Sequence, residues 1–213
     1  MKTKNTWLAL LAGLAVIAFA AVAAGCGGDD NNATSSSSGN ATDAAFITDM
    51  TAHHQGAIDM AKVAQTKADH PEIRTLADDI ISAQEGEIAT MKSVMDDMNA
   101  MGMHESGHMG MSQHDMGMDM NMTALENAKP FDKAFIDAMI PHHQGAIAMA
   151  KALQKKGEQP GLRKMADDII AAQTKEIAQM EAWRKAWYGS NSSSMSTHND
   201  AGTSTDESMP IGN

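Results

Sequence analysis

The chain has almost no cysteine. Cys26 is the single cysteine among 213 residues, so no disulfide can form within one chain and no pair of thiolates can hold a metal ion. A metal site in this protein must therefore be built from histidine, methionine or carboxylate side chains. The sequence also contains no Cys-x-x-Cys-His segment, which excludes covalently attached haem.

Basic and aromatic residues are also scarce. The chain carries 16 Lys and Arg against 27 Asp and Glu, and only 1 Tyr, 3 Trp and 4 Phe. An acidic surface of this kind disfavours nucleic acid and anionic lipid and attracts cations. Methionine is abundant instead: 11 of the 20 methionines lie between Met91 and Met122, which favours thioether chemistry or disorder in that segment.

The N-terminus has the pattern of an export signal. Lys2 and Lys4 precede an uncharged apolar run, and the segment Ala-Ala-Gly-Cys that ends at Cys26 resembles the bacterial lipobox. We therefore predict a signal peptide at residues 1–25 and lipidation of Cys26, which anchors the protein to the outer side of a cell membrane. The alternative is an uncleaved transmembrane helix. Cleavage leaves 14 of the 16 basic residues and all 27 acidic ones, a formal charge of −13.

An internal repeat organises the rest of the chain. Phe46–Met91 aligns without a gap onto Phe135–Met180, with 27 of 46 positions identical. The predicted organisation is a flexible tether at 26–43, a helical hairpin at 44–98, a Met/His-rich connector at 99–129, a second hairpin at 130–189 and a disordered tail at 190–213, with 44–189 forming one domain.

The pattern of each repeat predicts two helices. Apolar residues recur at three- and four-residue spacing, and the prolines at 71 and 160 predict the start of the second helix of each pair, with Asp69 as a cap for the first of these. Gly157 and Gly189 predict helix ends. Pro141 lies inside the third helix and predicts a bend there. Two such hairpins cannot bury their apolar faces singly, so we predict an all-α four-helix bundle.

Histidine and methionine recur inside the repeats at helical spacing. In each repeat a methionine, the first histidine and a second methionine share one helix face, so a thioether and an imidazole one turn apart can converge on a single ion, whereas adjacent histidines point about 100° apart. The second helices add Glu87 and Glu176 on their inner faces. The alternative is that the methionines fill the core and the histidines are core residues bonded to Gln84, Gln173 or the Asp-Asp pairs at 78–79 and 167–168. The candidate ligands are Met50, His53, His54, Met60, Met91, Met139, His142, His143, Met149 and Met180.

The connector is the richest source of soft ligands. Alternate residues of an extended segment face the same way, so a row of sulfur atoms is predicted from Met116 to Met122. Thioethers select Cu(I) and Ag(I) over Zn(II), Mg(II) or Ca(II). The alternative is a low-complexity linker without ligands. The candidate ligands are Met101, Met103, His104, His108, Met109, Met111, His114, Met116, Met118, Met120 and Met122.

The repeated motifs resemble a known bacterial family. FITDMTAHHQGAIDMA and FIDAMIPHHQGAIAMA, each followed by ADDII and EIA blocks in order, are similar to the family called domain of unknown function 305, over about Asp43 to Gly189. The resemblance implies a ferritin-like four-helix bundle, export, and binding of copper or silver in metal tolerance. It also implies ligand roles for His53, His54, Met60, His142, His143 and Met149.

These patterns favour an exported, lipid-anchored protein that binds Cu(I), with Ag(I) as a second ion, and that sequesters the metal or hands it to a partner protein. We predict no catalysis and no binding to nucleic acid. A di-iron oxidase is the first alternative, but the repeats contain no Glu-x-x-His segment, which such centres use. A bundle that holds haem non-covalently between histidine and methionine is the second alternative.

Overall fold

The protein is an all-α bundle, as predicted. The computed structural model describes residues 33–103 and 107–189, and these ranges contain helices and loops without β-strands. The helices are α1 Ala33–Lys67, α2 Pro71–Ala100, α3 Met122–Glu126, α4 Phe131–Lys156 and α5 Pro160–Tyr188. The short α3 lies in the connector and adds a fifth helix to the predicted four. The predictions for the signal peptide, Cys26, His104 and the tail at 190–213 lie outside the described residues.

The two hairpins pack through their first helices. α1 packs on α2, α4 packs on α5, and α1 and α4 pack on each other at the centre. The first half of α1 shares a buried cluster with the second half of α4, for example Phe46 with Leu153. The second half of α1 shares another cluster with the first half of α4, for example Ala64 with Phe135. α1 and α4 are therefore antiparallel, and the bundle has a first core and a second core at its two ends.

Helix α1 begins earlier than predicted. Residues 33–43, which we assigned to a flexible tether, are helical, and α1 starts at Ala33. This segment ends in the core, since Asp43 and the following Ala44 are fully inaccessible to solvent. Once that end is fixed by packing, each further residue adds a backbone hydrogen bond at little cost, so the helix extends toward the N-terminus.

The prolines and glycines at the helix ends act as predicted, but the predicted cap is wrong. Pro71 and Pro160 open α2 and α5, α4 continues through Pro141, and Gly157 and Gly189 end α4 and α5. Asp69 does not cap α2. The N-cap residue is His70, whose side chain makes no capping bond. The backbone N–H groups of Asp69 and His70 instead donate to the carboxylate of Asp132 on α4 at 3.0 and 2.8 Å.

The same contact recurs in the other half of the bundle. Asp43, which precedes the first repeat by the same spacing, accepts from the backbone N–H groups of Glu158 and Gln159 at 3.0 and 2.9 Å. The first helix of each hairpin thus accepts hydrogen bonds from the backbone N–H groups in the turn of the other hairpin. These bonds join the two hairpins. Only Asp132 gains a third bond, from the Nδ1 of His70 at 2.6 Å. Burial raises the pKa of Asp43, which offsets part of what its bonds contribute.

We expect Asp132→Ala to lower the free energy of unfolding by about 2 kcal/mol, because two backbone donors and His70 lose a charged acceptor. Asp43→Ala should cost less, since the carboxylate at position 43 has one bond fewer. Urea unfolding followed by circular dichroism measures both. The exposed Asp59→Ala is the control and should stay within about 0.5 kcal/mol of the parent. A loss in D132A no larger than in D59A would contradict the assignment.

The end of α5 closes the second core with aromatic rings. Trp183 and Trp187 are half-buried and pack on that core. The two indoles stack with their ring centroids 5.4 Å apart, and His70 stacks on Trp187 at 3.7 Å. None of the helices within 33–103 and 107–189 combines the length and apolar composition needed to cross a membrane.

Candidate metal centre

Four histidines form a buried layer between the two cores. We call His53, His54, His142 and His143 the histidine layer; His142 is 2% exposed and the other three are 0% exposed. The ring centroids of His53 and His142, one from each hairpin, lie 3.7 Å apart, and the two ring planes form an angle of 37°. The rings of His53 and His54 are 6.2 Å apart, so adjacent histidines do point in different directions, as predicted.

The second histidine of each pair is held by a glutamate from the next helix. The Nε2 of His54 donates to Glu87 at 2.7 Å, and the Nε2 of His143 donates to Glu176 at 2.6 Å. The partners suggested by the alternative interpretation are therefore wrong. Asp78 and Asp167 instead accept from glutamines on the neighbouring helix, and the side-chain oxygens of Gln84 and Gln173 are buried without a hydrogen-bond partner.

The first histidine of the first pair is held by the connector. The Nε2 of His53 donates to the backbone carbonyl oxygen of Met116 at 2.9 Å. Carboxylate and carbonyl oxygens only accept, so the Nε2 atoms of His53, His54 and His143 carry the hydrogen, and the lone pair of each neutral ring lies on Nδ1.

All four Nδ1 atoms of the layer are buried and have no hydrogen-bond partner. Burying a polar atom without a partner costs free energy, so natural proteins seldom retain one without a use. His53, His54 and His143 show the arrangement of metal-binding histidines, in which one ring nitrogen is free for the ion and the other donates to a carboxylate or carbonyl. The layer thus presents imidazole nitrogens prepared for coordination in a dry environment.

Burial also keeps the first histidines neutral. Desolvation, with a smaller contribution from His54, lowers the pKa of His53 to about 3. Desolvation, followed by the neighbouring His53, lowers the pKa of His142 well below its usual value. Both rings therefore keep their lone pairs across the physiological pH range, and an ion does not have to displace a proton from them.

The methionines of the repeats flank the layer on both sides. Met50, Met91 and Met149 are fully buried in the first core, and Met60, Met139 and Met180 are fully buried in the second. Each group combines side chains from both hairpins. Met50 and Met60 lie in different cores, about 15 Å apart along the helix, so these two sulfur atoms cannot bind the same ion. Within the described residues, no three His, Asp or Glu side chains converge to hold an ion, so methionine sulfur is the donor available to complete a site.

The connector is folded onto the bundle and is not an extended row. Its chain turns at residues 112–118, where the N–H of Met118 donates to Gln113 and Gly117 has a φ of 68°. Met122 already belongs to α3. The connector sulfur atoms therefore face different ways, and most of their side chains are half-buried. Met103, Met109, Met111 and Met116 pack on the first core, and Met120 and Met122 pack on the second. Met101 is 64% exposed.

An aspartate of α1 anchors the connector, and sequence reasoning missed it. The buried carboxylate of Asp49 accepts from the Nδ1 of His108 at 2.5 Å and from the backbone N–H of Met109 at 2.7 Å. The corresponding position of the second repeat is Ala138. The sequence signal for this role was a carboxylate in the first repeat at a buried position where the second repeat has an apolar residue. Its meaning is clear only once the structure shows the connector packed beside it.

Comparison with known proteins identifies the family of the chain. The profile of the domain of unknown function DUF305 matches residues 43–184, with a second match at 159–212. The chain belongs to the DUF305 family. The resemblance stated from the motifs is thereby confirmed, and the family match covers both hairpins and the connector between them.

Solved structures similar to this DUF305 protein carry metal ions. CopM in a Cu(I)-bound form is 43% identical, covering 69% of this chain and 98% of CopM with a TM-score of 0.59. CopM is also known in Ag-bound and Cu(II)-bound forms. A DUF305 protein of Streptomyces coelicolor, described as secreted, is 26% identical over 69% of this chain and 94% of its own, with a TM-score of 0.59. CopM is therefore a metal-binding relative of this chain.

A further relative is known by sequence. The uncharacterised protein L153 of Acanthamoeba polyphaga mimivirus is 39% identical over 51 residues, which is 24% of this chain. The match spans 34%, about a third, of the length of that viral protein.

Proposed function

We propose that this DUF305 protein is an exported copper-binding protein that holds Cu(I), and Ag(I) by the same chemistry, without catalytic turnover. The observation that carries the proposal is the set of four buried Nδ1 atoms without partners, placed between two groups of buried methionines. Imidazole and thioether ligands suit a soft monovalent ion. The Cu(I)-bound and Ag-bound forms of CopM support the same choice.

The protein has two kinds of candidate site. In the bundle, the histidine layer with its flanking methionines forms enclosed sites that would hold an ion. In the connector, half-buried and exposed ligands form shallow sites that would capture one, among them Met101, Met103, His108, Met109, Met111, His114, Met116, Met118, Met120 and Met122. By sequence, His104 is a further candidate ligand. A shallow capture site beside an enclosed one suits sequestration, metal tolerance or transfer to a partner protein.

The proposed location is the outer side of a cell membrane. The apolar segment at 1–25 and the lipobox-like sequence at Cys26 support export and attachment through lipid. The secreted relative from Streptomyces coelicolor supports export. Metal delivery at such a surface would involve a second protein that accepts Cu(I) by ligand exchange.

Anaerobic titration of the mature chain with Cu(I) tests the proposal. We expect several equivalents per chain, most of them lost when the connector methionines are changed to leucine, which conserves their volume. The ions that remain should disappear when His53 and His142 are also changed. Met165→Leu, at a buried methionine outside the proposed sites, is the control and should bind as the parent does. Absence of Cu(I) binding by the parent would refute the function, and unchanged binding by the leucine variant would remove the connector from it.

A further inference from the structure

The connector touches α4 without any intervening side chain. A Cβ atom added to Gly145 would lie 1.9 Å from the carbonyl oxygen of Met116, and one added to Gly117 would lie 2.2 Å from the carbonyl oxygen of Pro141. Only glycine permits this approach, because such distances are far below van der Waals contact. We call Met116 and Gly117 the strap.

The strap lies directly over the first histidines of the layer. Its carbonyl oxygen at Met116 accepts from the Nε2 of His53, and a Cβ at Gly117 would come within 2.8 Å of the Cα of His142. Both rings are closed to solvent. The backbone of the strap therefore separates the histidine layer from the space on its other side.

A groove of about 810 Å³ lies on that other side, between α4 and the segment formed by the connector and α3. Its lining includes Gly117, Pro141 and Gly145, the residues that hold the strap against α4. No Lys or Arg is among its described lining residues, and its polar members are His114, Asp115, Asp119, Asn121, Asp137 and Gln144. Asp137 is paired with Lys133 and Arg184, so Asp115 and Asp119 provide the negative charge that suits a cation.

The groove also contains ligands of the right kind. The Nδ1 of His114 is hydrogen-bonded to Asp119 at 2.9 Å, so the Nε2 lone pair of the neutral ring is available to an ion. Met120 contributes a thioether to the same groove. One imidazole and one thioether can hold a soft monovalent ion in transit, and the carboxylates beside them favour its positive charge.

We propose that this groove is the passage by which Cu(I) or Ag(I) reaches the histidine layer, with His114 and Met120 as transient ligands and the strap as the closure. This inference rests on the proposed function of the layer. The closure opens when the bond from His53 to Met116 breaks and the connector lifts from α4. The anchor at Asp49, which holds His108 and Met109, limits how readily this happens.

The passage and its closure can be tested with two glycine variants of the same chemistry. Gly145→Ala places a methyl group where the Met116 carbonyl lies and forces the strap away from α4, while alanine favours the helix itself. Gly86→Ala is the matched control, since it is also helical and has no atom within 4 Å of the added Cβ. Asp49→Ala is a second opening variant that removes the anchor without adding any atom beneath the strap.

The measurement is the release of Cu(I) from the loaded, full-length mature protein to an excess of a chromophoric Cu(I) chelator, in anaerobic stopped flow. Ions on the connector should leave first and ions in the histidine layer in a slow phase. We expect the slow phase to be at least about tenfold faster in G145A and clearly faster in D49A, with G86A equal to the parent. The number of ions bound at equilibrium should not change in any of them.

Two results would overturn the inference in distinguishable ways. A slow phase of unchanged rate in both G145A and D49A, with normal stoichiometry, would show that ions leave elsewhere, for example beside the half-buried Glu87 and Glu176. The proposed function would then stand and the passage would be wrong. Loss of the slow phase in the parent itself, with no ion left after the connector methionines are replaced, would refute the bundle site and the passage together.

Discussion

Acidification below pH 6.5 is expected to destabilise this protein steeply. Burial lowers the pKa of His53 to about 3 and that of His142 well below 6.5, whereas both return to about 6.5 in the unfolded chain. The unfolded state therefore binds protons that the folded state cannot. The stabilising contribution of the neutral rings is complete above pH 6.5 and is lost as the pH falls from 6.5 toward 3, at about 1.4 kcal/mol per pH unit for each histidine.

Urea unfolding of the metal-free protein between pH 8 and pH 4.5 measures this loss. Changing His53 and His142 together to glutamine, which has no titrating group, should remove most of the slope below pH 6.5. Changing His114, whose side chain is 73% exposed, should leave the slope as it is. A free energy of unfolding that stays flat from pH 6.5 to 4.5 would mean that the layer accepts protons in the folded state and is not dry.

Changing Glu87 and Glu176 together to glutamine is expected to weaken Cu(I) binding in the histidine layer by roughly 10- to 100-fold. The carboxylates fix the hydrogen on the Nε2 atoms of His54 and His143. They thereby make the Nδ1 atom of each ring a better ligand for the metal ion. A glutamine amide can also donate a hydrogen bond, which allows the ring to move its hydrogen to Nδ1 and so block the coordinating atom.

Competition with a Cu(I) chelator at equilibrium measures this change in affinity. Glu85→Gln on α2 and Glu181→Gln on α5 remove the same charge from exposed positions near the two glutamates and serve as matched controls. Both should bind as the parent does. An equal loss in these controls would assign the effect to net charge, and an unchanged affinity in the E87Q/E176Q variant would show that the glutamates do not support ligands.

Much of the fold could be predicted because its signals are local. The starts of α2 and α5 at proline and the ends of α4 and α5 at glycine depend on neighbouring residues, and the internal repeat implies that both hairpins fold alike. The cap at Asp69 was wrong for the opposite reason. Its place is taken by Asp132, more than 60 positions away, and no local pattern reveals that partner.

The connector shows where sequence reasoning ends. Its methionines, histidines and glycines have no periodicity from which a fold can be predicted, so an extended row was the simplest expectation. The structure holds the segment through the side chains of Asp49 and His53 on α1, each about 60 residues away. The sequence did identify the buried histidines, but it could not divide the methionines between two cores, because that division depends on the antiparallel packing of α1 and α4.

Nitrogen NMR of the histidine side chains during titration with Ag(I) shows whether the histidine layer binds metal. We expect the Nδ1 resonances of His53, His54, His142 and His143 to shift as the ion binds, while the Nε2–H signals of His54 and His143 remain hydrogen-bonded to their glutamates. If only the connector histidines respond and the four buried Nδ1 resonances stay unchanged at saturation, the histidine layer is not a metal site.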